Sequence, residues 1–212
     1  MYSHNNNNTT TQHNMISQFF VWLDGCGGSL IAPNVVLTAG HCLGMSDQVT
    51  LGLHKMFLSP GEQSQFWNVE HIPIAEVKRH PNYNDDSLDN DFMLLRLEYD
   101  SVQYADKVIP LDTDGLNNEK DTEFTVIGFG KLSTGGFNAN VMQNANVNYI
   151  NNEDCGKYDQ DEILDSMMCA GRDGKDACQV RLYYVCMCDN MSFAETVSFS
   201  LDTSVTSITS FT

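Results

Sequence analysis

Apolar residues in this chain come in short runs that favour strands over helices. Gln18–Leu23, Asn34–Ala39, Gln48–Leu53, Asp91–Leu97 and Glu123–Gly128 are each brief, and clusters of Gly, Pro, Asn and Asp separate them. In Asn144–Tyr149 polar and apolar positions alternate strictly, as a strand with one wet face requires. Cys26 and Cys42 bracket a strand–turn–strand, and only Asn151–Asp165 has room for a short helix. Many short strands, with turn signals between them and little helix, predict an all-β barrel or sandwich.

The pattern fails at both ends. Residues 1–15 are rich in Asn and Thr and too polar to bury anything, which predicts a disordered leader. From Val180 onward the chain is rich in Ser and Thr, poor in Gly and without Pro. No internal repeat is present.

A length of 212 residues suits one compact domain or two small ones sharing a core. The net charge of −17, from 28 acidic and 11 basic side chains, repels nucleic acid and anionic lipid and favours basic peptides. No apolar run approaches the roughly 18 residues that span a bilayer. The first 14 residues hold no apolar core of a secretory signal. Yet seven cysteines, four of them in two close pairs, indicate an oxidising compartment. These two expectations pull apart: either the true start is missing, or the protein never meets an oxidant.

Chemistry concentrates in two segments. His41 stands directly before Cys42, and a Cys26–Cys42 disulfide would close a loop of about 15 residues, worth ~3 kcal/mol. It would also fix the imidazole at a strand end. Asp91 opens an apolar run, where a carboxylate is costly to bury unless paired. A histidine ring is such a partner, because the acid orients the imidazole and stabilises the imidazolium formed in a reaction.

The whole string from Cys26-Gly27-Gly28-Ser29 to Thr38-Ala39-Gly40-His41-Cys42 resembles the histidine loop of trypsin-like (chymotrypsin-family) serine proteases, with a tolerated Gly40, and Asp89-Asn90-Asp91-Phe92-Met93-Leu94-Leu95 resembles their aspartate motif. Val126–Gly130 resembles the family's Gly-Trp-Gly strand, with Phe129 in place of Trp in a packing role. Cys155 and Cys169, followed by Ala170-Gly171, resemble its second disulfide. Gly174–Gln179 resembles the string that leads, in the family, into Gly-Asp-Ser-Gly-Gly-Pro, which carries the nucleophile and both oxyanion amides. Asp176 matches the acid at the base of the specificity pocket, where a substrate Arg or Lys would pair with it.

The resemblance runs from about Phe19 to Gln179. It implies an all-β double barrel, with the first barrel complete over 16–112 and the second only partial over 113–179. The tail, 180–212, lies outside it. Val180–Cys188 stands where the nucleophile segment is expected, and Asn14–Ser17 is a poor substitute for the family's Ile-Val-Gly-Gly start. Cys178 would lack its family partner, leaving it with Cys186 and Cys188 free or scrambled.

The implied function is a secreted, monomeric serine endopeptidase cutting peptides and proteins after Arg or Lys. His41 would be its base and Asp91 the orienting acid, and no metal or cofactor would take part. Without the serine and the oxyanion hole the chain as written is expected to be inactive. Two alternatives stay open. One is a noncatalytic pseudoprotease that binds a partner. The other is a mis-spliced product, since Gln179-Val180-Arg181 can be encoded CAG-GTA-AGA, an exon end followed by a splice donor. Asn7, Asn8 and Asn190 lie in glycosylation sequons.

Overall fold

The computed structural model describes residues 20–57, 68–111, 122–132, 136–154 and 163–171. The expected leader and tail lie outside them, as do Cys155, Asp176, Cys178, Cys186, Cys188 and the three sequons.

Strands β1 (Phe20–Leu23) and β2 (Cys26–Ala32) form a hairpin around Asp24 and Gly25, both at positive φ (51° and 135°). Two-residue turns in twisted hairpins need that backbone, and an Asp-Gly pair tolerates it. β3 (Val35–Thr38), β4 (Gln48–Leu51), β5 (Glu70–Arg79) and β6 (Met93–Leu97) complete a closed barrel in the order β1-β2-β3-β6-β5-β4. All neighbours in it are antiparallel. β4 stops at Leu51, short of the expected Leu53, because Gly52 turns the chain at φ 72°.

Alternation decides what the barrel encloses. Met93, Leu95 and Leu97 of β6 point inward and are buried, while Leu94 and Arg96 are only partly covered. They meet Val21, Leu30, Val36, Val49, Leu51 and Ile72, all fully buried. Each such side chain contributes roughly 1.5–3 kcal/mol relative to exposure. Closure also removes the unpaired strand edges that an open sheet presents.

The second half holds β7 (Glu123–Gly128), β8 (Gln143–Ile150) and β9 (Cys169–Gly171), a three-stranded antiparallel sheet in that order. Its alternation matches the sequence. Val147 is buried with Val126 and Ala170, and on the opposite face Asn146 donates to Glu123 Oε1 (2.9 Å) and accepts from Thr125 Oγ1 (3.1 Å). Among the described residues the fold is thus nearly all β, with one closed barrel and one incomplete sheet.

Phe129 joins the halves. Its ring lies edge-on to Phe20 (5.6 Å between centroids) and to Trp22 (5.8 Å), in a cluster with Leu53 and Met142. Backbone bonds run beside it, from Met56 N–H to Asn140 O and from Met142 N–H to His54 O, both 2.9 Å.

The hydrophobic pattern revealed neither the three-residue β9 nor the much longer β5. β5 has four charged residues among its ten, carries Pro73 at its fourth position, and shifts register between Ile74 and Glu76. That irregularity breaks the period-two signal. Pro73 is accommodated because its carbonyl still accepts from Glu98 N–H (3.0 Å), so the missing donor costs one bond only. Where a short helix had room, residues 151–154 form a turn, and 155–162 lie outside the described residues.

Candidate active site

Strand pairing builds the site. β3 and β6 are neighbours, with Thr38 opposite Met93. His41 follows that point by three residues on the 3-10 turn Gly40–Cys42, and Asp91 precedes it by two. The acid therefore sits just ahead of its strand and not on it. Residues fifty apart in sequence come into contact at the same end of the barrel.

His41 Nδ1 lies 2.6 Å from Asp91 Oδ2, and the His41 backbone N–H donates to Asp91 Oδ1 at 2.8 Å. An ionised carboxylate only accepts, so Nδ1 carries the hydrogen and Nε2 becomes the basic nitrogen. The second bond prevents the carboxylate from rotating away. Both side chains are largely shielded, at 16% and 13% exposure, which strengthens the bond relative to one in water.

The disulfide Cys26–Cys42 is formed, with the Cα atoms 6.1 Å apart. It ties the turn that carries His41 to the first residue of β2. Thr38 supports the same place by donating its hydroxyl to Gly27 O at 2.7 Å. The ligand atoms of Cys26, His41 and Cys42 all lie within 4.8 Å of one another. Two of the three are sulfurs joined to each other, so the group offers no thiolate to a metal. Cys169 is also disulfide-bonded, and Cys155, its expected partner, is outside the described residues.

Tyr83 and Arg79 back the pair, and the sequence pattern did not single them out. The Arg79 guanidinium lies 4.5 Å above the Tyr83 ring and 3.6 Å from Asp85 Oδ1. Burial, followed by the carboxylates of Asp91 and Asp85, pushes the Tyr83 phenol up to about 12. Gly40 leaves room beside this cluster. A Cβ there would fall 3.1 Å from Tyr83 Cδ2, 3.2 Å from Asp91 Oδ1 and 3.3 Å from Arg79 Cγ, each tighter than an ordinary contact.

The sequence profile of the Trypsin family matches residues 5–180. The chain belongs to the trypsin family. It is 32% identical over 164 residues to "Trypsin-1" of Astacus astacus and 37% identical over 158 to "Trypsin" of Xenopus laevis. Each alignment covers 73% of this chain, but only 66% and 62% of those relatives, so the chain spans less than two thirds of their length. Among solved structures it is similar to mouse neuropsin, described as a serine protease expressed in the limbic system of the brain. That likeness has a TM-score of 0.65 at 28% identity and covers 78% of this chain and 75% of that one. In the trypsin-family frame, the barrel is the first of two and β7–β9 belong to the second.

Proposed function

We propose that this trypsin-family fold is that of an endopeptidase directed at Arg and Lys, with His41 as base and Asp91 as the acid that orients it. The observation that carries this reading is the doubly bonded His41–Asp91 contact, 2.6 Å from Nδ1 to Oδ2 and 2.8 Å from the backbone amide to Oδ1. A carboxylate placed so fixes the tautomer in which Nε2 takes a proton from a nucleophile. Peptides and proteins are the proposed substrates, and the shared redox chemistry of the family's cysteines favours an extracellular setting.

As written, the 212 residues do not supply that nucleophile. No serine after Gln179 carries the flanking glycines of Gly-Asp-Ser-Gly-Gly-Pro. A base with nothing to deprotonate performs no covalent catalysis. The oxyanion donors, typically worth about 3 kcal/mol each in the transition state, belong to the same segment. The folded chain should therefore take up no fluorophosphonate label on any serine.

On the family resemblance alone, specificity is assigned to Asp176, which lies outside the described residues. A carboxylate at the base of a narrow apolar slot is costly without a countercharge, so a substrate Arg or Lys relieves a penalty that an apolar side chain leaves in place. A chain repaired with Gly-Asp-Ser-Gly-Gly-Pro after Gln179 and an Ile-Val-Gly-Gly start should favour Arg over Phe esters by about 10³-fold. Asp176→Ser should shift it towards large apolar residues. Equal rates on both esters would sink the pocket assignment and leave His41 and Asp91 standing.

A further inference from the structure

We infer that Ser166, on the second half of the chain, is a positioning residue for the acid of the first half. Asp91 is preceded by Asn90, whose backbone lies in the left-handed region at φ 55°. Asn tolerates that conformation better than most residues with a side chain, and hydrogen bonds fix it here. The Asn90 side-chain amide donates to Asn82 O at 3.4 Å, and its backbone is held on both sides. The Asn90 carbonyl accepts from Phe92 N–H at 2.8 Å, across Asp91 itself. The Asn90 N–H donates to Ser166 Oγ at 3.1 Å, and the Ser166 hydroxyl donates onward to Asp89 Oδ1 at 2.5 Å.

The hydroxyl is thus donor to one residue and acceptor from the next, and it pins two successive positions directly ahead of Asp91. A methyl group can make neither of those bonds. Ser166 is itself well anchored. It sits in a turn closed by Met167 N–H to Leu164 O at 2.9 Å, and Asn152 Nδ2 donates to Met167 O at 3.1 Å. Three residues later comes the disulfide-bonded Cys169 on β9. Ser166 therefore transmits the rigidity of the second half to the first. Rotation of the Asn90 peptide would swing Asp91 away from the two bonds it makes with His41.

The role matters for catalysis only if the reading of His41 and Asp91 is right, but its test does not depend on activity. In the folded full-length chain, the proton on His41 Nδ1 gives a far-downfield NMR resonance when held by the carboxylate. Ser166→Ala should shift it upfield and speed its exchange with water, while Ser166→Thr, which keeps the hydroxyl, should retain it. Asp89→Ala, on a surface loop, should reproduce the alanine effect from the other side of the bridge, and decides the matter if Ser166→Ala does not fold. An unshifted, slowly exchanging proton in either alanine variant overturns the proposal. So does its equal loss in Ser166→Thr with β6 amides still protected, which would assign the effect to packing.

Discussion

The first barrel wraps six strands until β1 meets β4, whereas the described part of the second half ends at β7 on one side and β9 on the other. The barrel interior is lined from every strand, with Leu30, Val36, Val49, Leu51, Ile72 and Leu97 fully buried. The three-stranded sheet gathers Val126, Val147 and Ala170, with Phe124 packed beside them. Because hydrophobic stabilisation follows the apolar area removed from water, the barrel carries more of the stability. The His41–Asp91 contact belongs to the well-supported half, and the Ser166 bridge reaches it from the other. Geometry at the site thus draws on both halves, while persistence of the fold rests mainly on one.

The sharpest test of that asymmetry pairs two core truncations. Leu30→Ala should cost about 4 kcal/mol and loosen both halves, since the sheet packs on β1 through Phe129. Val147→Ala removes less volume from a smaller core and should cost about 2 kcal/mol, with lost amide protection confined to β7–β9. Hydrogen exchange resolves the two patterns. Equal loss of protection in the barrel of Val147→Ala would break the comparison.

Next in size is the disulfide. Replacing Cys26 and Cys42 together with alanine should cost about 3 kcal/mol by freeing a loop of roughly that span in the unfolded chain. A denaturant midpoint lowered to that degree, with β7–β9 amides unaffected until the barrel opens, is the expected result. A change confined to β7–β9 would contradict it.

The smallest effect is read by pH. The folded Tyr83 phenol titrates near 12 against an ordinary 10.0, raised by burial first and then by Asp91 and Asp85. A raised value means that the protonated phenol is favoured in the folded state. Its contribution is therefore complete below pH 10 and lost as pH rises through 12. The difference in absorbance at alkaline pH between the parent and Tyr83→Phe should show one phenol with a midpoint near 12. A midpoint near 10 would separate Tyr83 from the acid behind which it packs.

Much of the barrel was legible because its strands are short apolar runs, and β6 alternates cleanly between buried and partly covered positions. β5 was not, since Pro73 and a register shift hide its period among charged residues. His41 and Asp91 were readable through flanking motifs, which locate both without giving their distance. Ser166 had no signal at all: a single serine in a turn gains meaning only from the residue it faces, 77 positions away. Tyr83 and Arg79 were hidden for the same reason, and so was the close approach of three side chains to Gly40.

The spacing of these contacts also sets an order in time. The β1–β2 hairpin needs only the two residues of its turn, whereas His41 waits for an acid fifty residues downstream. The entropy of closing a loop grows with its length, so the hairpin can form long before β3 finds β6, and the bridge from Ser166 comes last. On a translating ribosome adding roughly 5–20 residues each second, about 3–10 seconds separate synthesis of the imidazole from synthesis of its carboxylate. Cys26 and Cys42 are both synthesised before that carboxylate, so their disulfide is the one covalent tie available to the histidine loop ahead of its acid.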